Sequence, residues 1–196
     1  MPDQNHYSVL LIVDRSASIL PFRGPMVRGL REVVAGQAGE SGLVTMSVVE
    51  FDSEIEVTHI LESPERVDFT LRPRGRTALY DAIGLAILHL RDAISDLPEH
   101  ARPGGVQVVL ITDGRENSST EFSLAEVRRL VRHQREKHGW RFMFLGANQD
   151  AQASGAHLGF GDENIAFEPD SEGVTLMTQT IARSISVRSA SSSIEL

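Results

Sequence analysis

The chain contains no cysteine. That excludes disulfides, thiolate metal sites and a cysteine nucleophile, and it fits a reducing compartment such as the cytoplasm. Lysine is nearly absent too: among 19 Lys+Arg only Lys137 is a lysine, so arginine carries the positive charge. No apolar run approaches the ~20 residues of a membrane span. The opening "MPDQNHYS" lacks a basic segment followed by an apolar stretch, so no secretory signal is expected. Positive charge is in deficit overall, with a formal net charge of -8, which argues against general nucleic-acid binding. Several enzyme signatures are also missing. There is no G-x-x-x-x-G-K-[ST] loop for nucleotide phosphates, no G-x-S-x-G nucleophile elbow, and no H-E-x-x-H among the seven histidines.

What is present describes an ordinary globular domain. The 196 residues, 41% hydrophobic and 23% charged, suffice for one substantial core. Val9–Val13 is an unbroken apolar run, too short for a helix, and reads as a central strand buried on both faces. Pro25 suits a first helical turn, and Met26, Leu30, Val33 and Val34 follow at helical spacing until Gly36, Gly39 and Gly42. Leu43–Phe51 and Ile55–Leu61 read as a hairpin whose second strand is half exposed. The arginine- and proline-rich "RPRGRT" leads to a long helix with Leu79, Ile83, Ile87, Leu90, Ile94 and Leu97 on one stripe, ended by Pro98. Val106–Thr112 is a second buried strand. Ser123 with Glu126 forms a capping-box pair for the next helix, which Gly139 stops. "WRFMFLG" gives a further buried strand, "NQDAQASGAHLG" a short helix, "NIAF" an edge strand and Ser171–Val187 a last helix. The final thirteen residues hold six serines and are expected to form a mobile tail, so the domain is placed at 1–187 with the tail at 188–196. Strands alternating with helices predict an α/β fold: a doubly wound, mostly parallel sheet with helices on both faces.

In such sheets ligands bind beyond the C-terminal ends of the strands. Two carboxylates fall there. Asp14 follows the first strand and opens Asp14-Arg15-Ser16-Ala17-Ser18. Asp113 follows Thr112 and opens "DGRENSS". Thr77 stands where "RPRGRT" enters its helix. Each residue alone has an ordinary explanation as a turn, loop or cap residue. Jointly they converge on one sheet edge with two carboxylates and three hydroxyls. These are hard oxygen donors, suited to Mg²⁺, Mn²⁺ or Ca²⁺ and poorly suited to zinc. Two carboxylates neutralise a divalent ion and leave it able to attract an anionic ligand.

The three segments resemble the von Willebrand factor A domain family. "DRSAS" matches its D-x-S-x-S motif, "GRTALYDAI" its threonine motif and "ITDGREN" its second aspartate motif, together the metal-ion-dependent adhesion site. The resemblance runs from about Tyr7 to Val187. "FLGANQDA" and the small size are similar to stand-alone bacterial, cytoplasmic members. The family implies a sheet with a single antiparallel edge strand. It implies direct metal contacts from Ser16, Ser18 and Thr77, with Asp14 and Asp113 often acting through water. It also implies that a remaining position takes a carboxylate from a protein partner. One departure is Ile19-Leu20, where many relatives carry a methionine.

The resulting expectation is a Mg²⁺-dependent protein-binding module, an adaptor or regulatory protein, without enzymatic turnover. Two alternatives stand beside it. One is a metal-dependent phosphatase or hydrolase with Asp14 as nucleophile, although position 16 is serine where such a site wants a second aspartate. The other, permitted by the resemblance, is a regulatory subunit of a MoxR- or chelatase-type AAA+ ATPase. Finally, Arg15, Arg74, Arg76 and Arg115 lie on the same loops as the candidate ligands, with Arg23 and Arg72 near them in sequence. They are expected to form a positive, partner-binding collar that favours acidic partners.

Overall fold

A computed structural model describes residues 1–38, 42–147, 151–161 and 163–192. Gly39, Asn148-Gln149-Asp150 and the last four residues of the expected tail lie outside the described residues. The six strands are β1 (Asp3–Asp14), β2 (Leu43–Phe51), β3 (Ile55–Glu62), β4 (Pro103–Thr112), β5 (Arg141–Gly146) and β6 (Asn164–Ala166). The α-helices are α1 (Arg23–Gln37), α2 (Leu79–Asp96), α3 (Leu124–His138), α4 (Ala151–Leu158) and α5 (Ser171–Ser192). The sheet order is β3-β2-β1-β4-β5-β6. Among the described residues only the β2–β3 pair is antiparallel, so β3 is the antiparallel edge.

β1 is central because its sequence has no polar face between Val9 and Val13. Its alternation feeds two separate cores. Val9, Leu11 and Val13 pack with Met26, Leu30 and Val33 of α1 and Val174, Met177 and Ile181 of α5. Leu10 and Ile12 pack on the opposite face with Ile83 and Ile87 of α2 and Val127 and Val131 of α3. A strand apolar at every position thus serves both layers of helices at once.

The chain first steps from β1 to β2 and later inserts β4 on the other flank of β1. The strand order therefore reverses between β1 and β4, which opens a crevice at their C-terminal ends. The tips there are Asp14 and Thr112-Asp113.

At the far end the serine-rich stretch departs from expectation. α5 continues past Val187 to Ser192, and Ile185 within it is fully buried. Val174, Met177, Ile181 and Ile185 recur at helical spacing and give that segment a side to bury. Ser184, beside Ile185, is half-buried and accepts from the Gln107 side-chain N–H of β4 at 2.9 Å, so it joins the helix to the sheet without breaking it.

His6, at the start of β1, lies away from this crevice. Its imidazole is buried, with Nδ1 3.0 Å from the Ala101 carbonyl and Nε2 2.8 Å from the Thr45 hydroxyl. The carbonyl requires a proton on Nδ1, so Nε2 accepts from Thr45. Burial holds its pKa below the ordinary imidazole value, against the opposing pull of Ala101 and Asp3. The unfolded chain therefore binds this proton more readily than the folded one, and stability falls as pH drops through about 6.5. Urea titrations at pH 8 and pH 5 should show wild type losing more stability on acidification than His6→Gln. Equal losses would remove His6 from the acid response, and taking the difference between the two proteins cancels the carboxylates common to both.

Candidate metal centre

Each ligand candidate is set by its backbone neighbours. Asp14 is fully buried at the end of β1. Its Oδ1 accepts from the Ser16 backbone N–H at 2.7 Å, which folds the D-x-S segment into a tight turn. Its Oδ2 accepts from the Thr112 hydroxyl at 2.6 Å, tying β1 to β4. Residues Ala17–Phe22 then form a 3₁₀ helix that brings Ser18 back over the tip. The Ser16 and Ser18 hydroxyl oxygens are 3.0 Å apart, and Ser18 donates to Asp113 Oδ1 at 2.7 Å.

Thr77 arrives from the third segment. A Cβ built on Gly114 would lie 2.7 Å from Thr77 Oγ1 and 3.5 Å from Asp14 Oδ2. The Thr77 hydroxyl and the Asp14 carboxylate thus flank the same bare backbone, and position 114 has no room for a side chain. All five predicted ligand positions converge on the one edge.

The fit to a small hard cation can be judged from these spacings. Adjacent oxygens around an octahedral ion with metal–oxygen distances of about 2.1 Å lie roughly 3 Å apart. The Ser16–Ser18 and Ser18–Asp113 separations have that size. Charge points the same way. Burial lifts Asp14 to about 6, although hydrogen bonds from Thr112 and Ser16 oppose it and nearby Asp113 adds to it. Burial also raises Asp113, against the hydrogen bond from Ser18. Two carboxylates resisting ionisation in one crevice are what a cation would relieve. Among the described residues no three His, Cys, Asp or Glu side chains group as a metal site. A centre here depends on hydroxyl donors.

Sequence reasoning missed the groups that hold these donors in place. Asn117 clasps Thr77 from both sides: its Oδ1 accepts from Thr77 N at 2.9 Å, and its N–H donates to Thr77 O at 3.1 Å. Asp81 accepts from the backbone N–H groups of Thr120, Glu121 and Phe122. Glu116 accepts from Ser118, Ser119 and the Tyr80 N–H at the start of α2. Burial opposes ionisation of Glu116, but the bonds from Ser119, Tyr80 and Ser118 outweigh it and hold its pKa below the usual range. A carboxylate at a helix N-terminus also meets the favourable end of the helix dipole. The polar run after Asp113 is therefore a latch that fixes the second aspartate segment against the threonine segment.

The arginines divide. Arg15 corrects the expectation of a partner-facing collar: it is 4% exposed and turned inward. Its Nε donates to Asp52 at 2.9 Å, and a terminal nitrogen reaches Glu56 at 2.5 Å and Glu50 at 3.5 Å. Arg74 is also engaged, on Asp52 at 3.0 Å and Glu54 at 2.5 Å. Arg23 holds the Thr70 and Leu71 carbonyls. Arg72, Arg76 and Arg115 remain exposed. The physical reason lies in Glu50, Asp52, Glu54 and Glu56, which recur at every second position through the β2–β3 turn and compete for the guanidiniums. That spacing was readable in "EFDSEIE" as an acidic face.

Asp52 is the hub of this arrangement. Its side chain accepts from both Arg15 and Arg74, while its backbone carbonyl accepts from Ala78 N at 2.9 Å. Next to it, the Ser53 hydroxyl accepts from Arg76 N at 2.8 Å. Gly75 touches the same turn with φ +67, and a Cβ there would meet Ser53 Oγ at 2.9 Å. One hairpin turn thus sets the separation between the D-x-S-x-S segment and the Thr77 segment.

No protein-family model matches the chain, and no curated protein matches it. Solved structures do. Proximal thread matrix protein 1 from the mussel byssus superposes with a TM-score of 0.64 in one crystal form and 0.66 in a form described with a zinc-occupied metal-ion-dependent adhesion site (MIDAS) motif. That protein is 16% identical, over 94% of this chain and 47% of its own in the zinc form. The PilB minor pilin of Streptococcus sanguinis gives 0.63 at 11% identity, over 92% and 61%. The ArnB paralog VWA2 of Sulfolobus acidocaldarius gives 0.56 at 15% identity, over 92% and 44%. The chain spans between 44% and 61% of the length of these solved chains. At such identities the likeness shows the fold, a von Willebrand factor A-like mostly parallel sheet. Among the described residues no helix is long and apolar enough to cross a membrane.

Proposed function

We propose that this domain is a metal-dependent protein-binding module. Asp14, Ser16, Ser18, Thr77 and Asp113 would hold one divalent cation, best Mg²⁺ or Mn²⁺ by their all-oxygen chemistry, with Ca²⁺ also suited. The carrying observation is the convergence of three separated segments at the strand-order reversal, where Ser16, Ser18 and Asp113 are joined by hydrogen bonds of 2.7 to 3.0 Å and Thr77 and Asp14 flank Gly114. When bound, the ion supplies an electrophile for a carboxylate from an Asp or Glu of a protein partner. The protein's part is to fix the donors, through Thr112, Asn117 and the Asp52 hub, and to leave the rim open at half-exposed Asp113 and exposed Ser18. An adaptor or regulatory role in a bacterial cytoplasm suits this reading, and so does a place beside an AAA+ ATPase. Affinity capture identified by mass spectrometry tests it. A partner retained with Mg²⁺ and lost both with EDTA and with Asp14→Ala is expected. Retention unaffected by either would overturn the module.

The hydrolase alternative is disfavoured by the geometry of Asp14. A nucleophilic carboxylate needs an oxygen facing the substrate. Here Asp14 is fully buried beneath the rim with its oxygens turned to Ser16 and Thr112, a placement that suits acting on the cation through a bridging water better than in-line attack on a substrate. No turnover of phosphate esters is expected. Metal-dependent hydrolysis lost in Asp14→Asn would favour the enzyme.

Since Arg15 is buried, electrostatic attraction of an acidic partner is expected from arginines exposed near the rim, Arg76 and Arg115 among them. Arg76→Glu with Arg115→Glu should slow association several-fold at low salt and by less at high salt, since screened charges steer weakly. Metal affinity should be unchanged. Stopped-flow association at two ionic strengths reads this out, and equal rates in both proteins would make these arginines ordinary surface.

A further inference from the structure

Beside the candidate metal centre lies a cavity of about 450 Å³. It shares its walls with the ligand loops. Gly114 and Arg115, immediately after Asp113, form one side, and Leu79 and Tyr80, just after Thr77, form another. Phe144 of β5 and Leu158 of α4 make a buried apolar floor, while exposed His157 stands at the rim. A cleft of this size with an apolar floor and a few polar groups at its edge has the make-up of a ligand subsite. The Glu116 carboxylate, although it lines the cavity, is taken up by the latch to Ser118, Ser119 and Tyr80.

We propose that this cavity receives an aromatic side chain of the partner, placed within one or two residues of the acidic residue that reaches the metal. The proposal rests on the metal-dependent reading above and names the partner's recognition element: a short acidic–aromatic segment. Proximity sets the spacing, because Gly114 abuts the Thr77 hydroxyl and the Asp14 carboxylate on one side and lines the cavity on the other. Chemistry sets the residue type. Leu79, Phe144 and Leu158 offer apolar contact to a ring face. Arg115 offers a guanidinium that stacks on aromatic rings, and His157 and Tyr80 offer polar edges to an indole N–H or phenol hydroxyl. A buried aromatic anchor beside a charged contact is also how interfaces concentrate affinity.

The test uses the full chain with Mn²⁺ and three fluorescent peptides that differ at two positions: Gly-Glu-Trp-Gly, Gly-Glu-Ala-Gly and Gly-Gln-Trp-Gly. The Glu-Trp peptide should bind at least about tenfold tighter than Glu-Ala. Ala153→Trp, which fills the cavity from its exposed wall, should abolish that preference while leaving manganese affinity and Glu-Ala binding as in wild type. Equal binding of Glu-Trp and Glu-Ala, or an undiminished preference in Ala153→Trp, overturns the proposal. Failure of the metal reading looks different, since manganese titration is then silent and Glu is no better than Gln. In that case backbone and methyl NMR shifts decide the cavity. Gln-Trp perturbing Leu79, Tyr80 and Leu158 supports it as an aromatic site, and no perturbation there overturns it.

Discussion

Asp14→Ala is expected to abolish divalent-cation binding while the fold survives. Wild type should give a single-site calorimetric isotherm with Mg²⁺ or Mn²⁺. Loss of residues that merely support a metal site typically weakens it ~10–100-fold, and a carboxylate at the centre should cost at least that much. Asp113→Ala should behave alike, since Asp113 contributes the other carboxylate of the crevice. Stability provides a second readout. At a metal concentration 100 times its Kd, a bound ion stabilises the native state by about 2.7 kcal/mol. Wild type should therefore melt at higher temperature when metal is added, whereas the melting of Asp14→Ala should not move. Circular dichroism should stay native, because Asp14 lies at a strand tip and both cores flanking β1 are built from Val9 to Val13. Zinc belongs among the metals titrated, given the zinc-occupied mussel byssus protein. An unchanged manganese isotherm in both aspartate variants would sink the assignment.

The second large effect is on stability, at Arg15. Arg15→Ala removes the guanidinium that reaches Glu50 and Asp52, both buried; Arg74 still holds Asp52, so Glu50 is the carboxylate left without its cation among the described residues. Leaving buried charge uncompensated costs about 3 kcal/mol or more. The contact with Glu56 adds little, because that carboxylate is largely exposed and screened by water. The pH dependence identifies the cause. Burial already raises the Glu50 pKa, with Arg15 holding it down and Glu56 pushing it up. Without Arg15 it should rise further, so the folded variant takes up a proton more readily than its unfolded chain and regains stability as pH falls. Urea unfolding should show the deficit of Arg15→Ala shrinking between pH 7.5 and 5. A deficit independent of pH would mean that packing of the side-chain stem, rather than its charge, is what was lost. Metal affinity should also weaken, since the Asp52 hub would lose one of the two guanidiniums that hold the ligand segments at a fixed separation.

Much of this was legible in the sequence because it is written in local patterns. An apolar run without a polar face can only be a strand covered on both sides, so Val9–Val13 announced a central strand and a layered α/β fold. Hard oxygen donors in D-x-S-x-S spacing, with a threonine and a second aspartate after later elements, pointed to one sheet edge, and the structure brings these side chains together there. The Ser123–Glu126 capping box was legible for the same reason, and the structure has both of its hydrogen bonds. Where pattern was diluted, reading failed. The helix from Ser171 was legible, but the serines of the last thirteen residues hid the burial of Ile185 and the continuation of α5 to Ser192.

Tertiary structure alone decided which way the arginines point and what holds the metal segments together. Arg15 and Arg115 look alike in sequence, each one or two residues beyond a candidate ligand. Only the arrival of Glu50, Asp52 and Glu56 from a different hairpin turns Arg15 inward, and no local rule specifies that pairing. The latch of Asn117, Glu116 and Asp81 is of the same kind, since its bonds join residues some 36 to 41 positions apart. The aromatic-lined cavity is assembled from α2, the loop after β4, β5 and α4, four segments far apart in the chain. Side-chain type and spacing fix what a segment can do locally. Charge pairing and cavity shape depend on which segments the sheet order brings side by side, and that is settled only when the chain closes on itself.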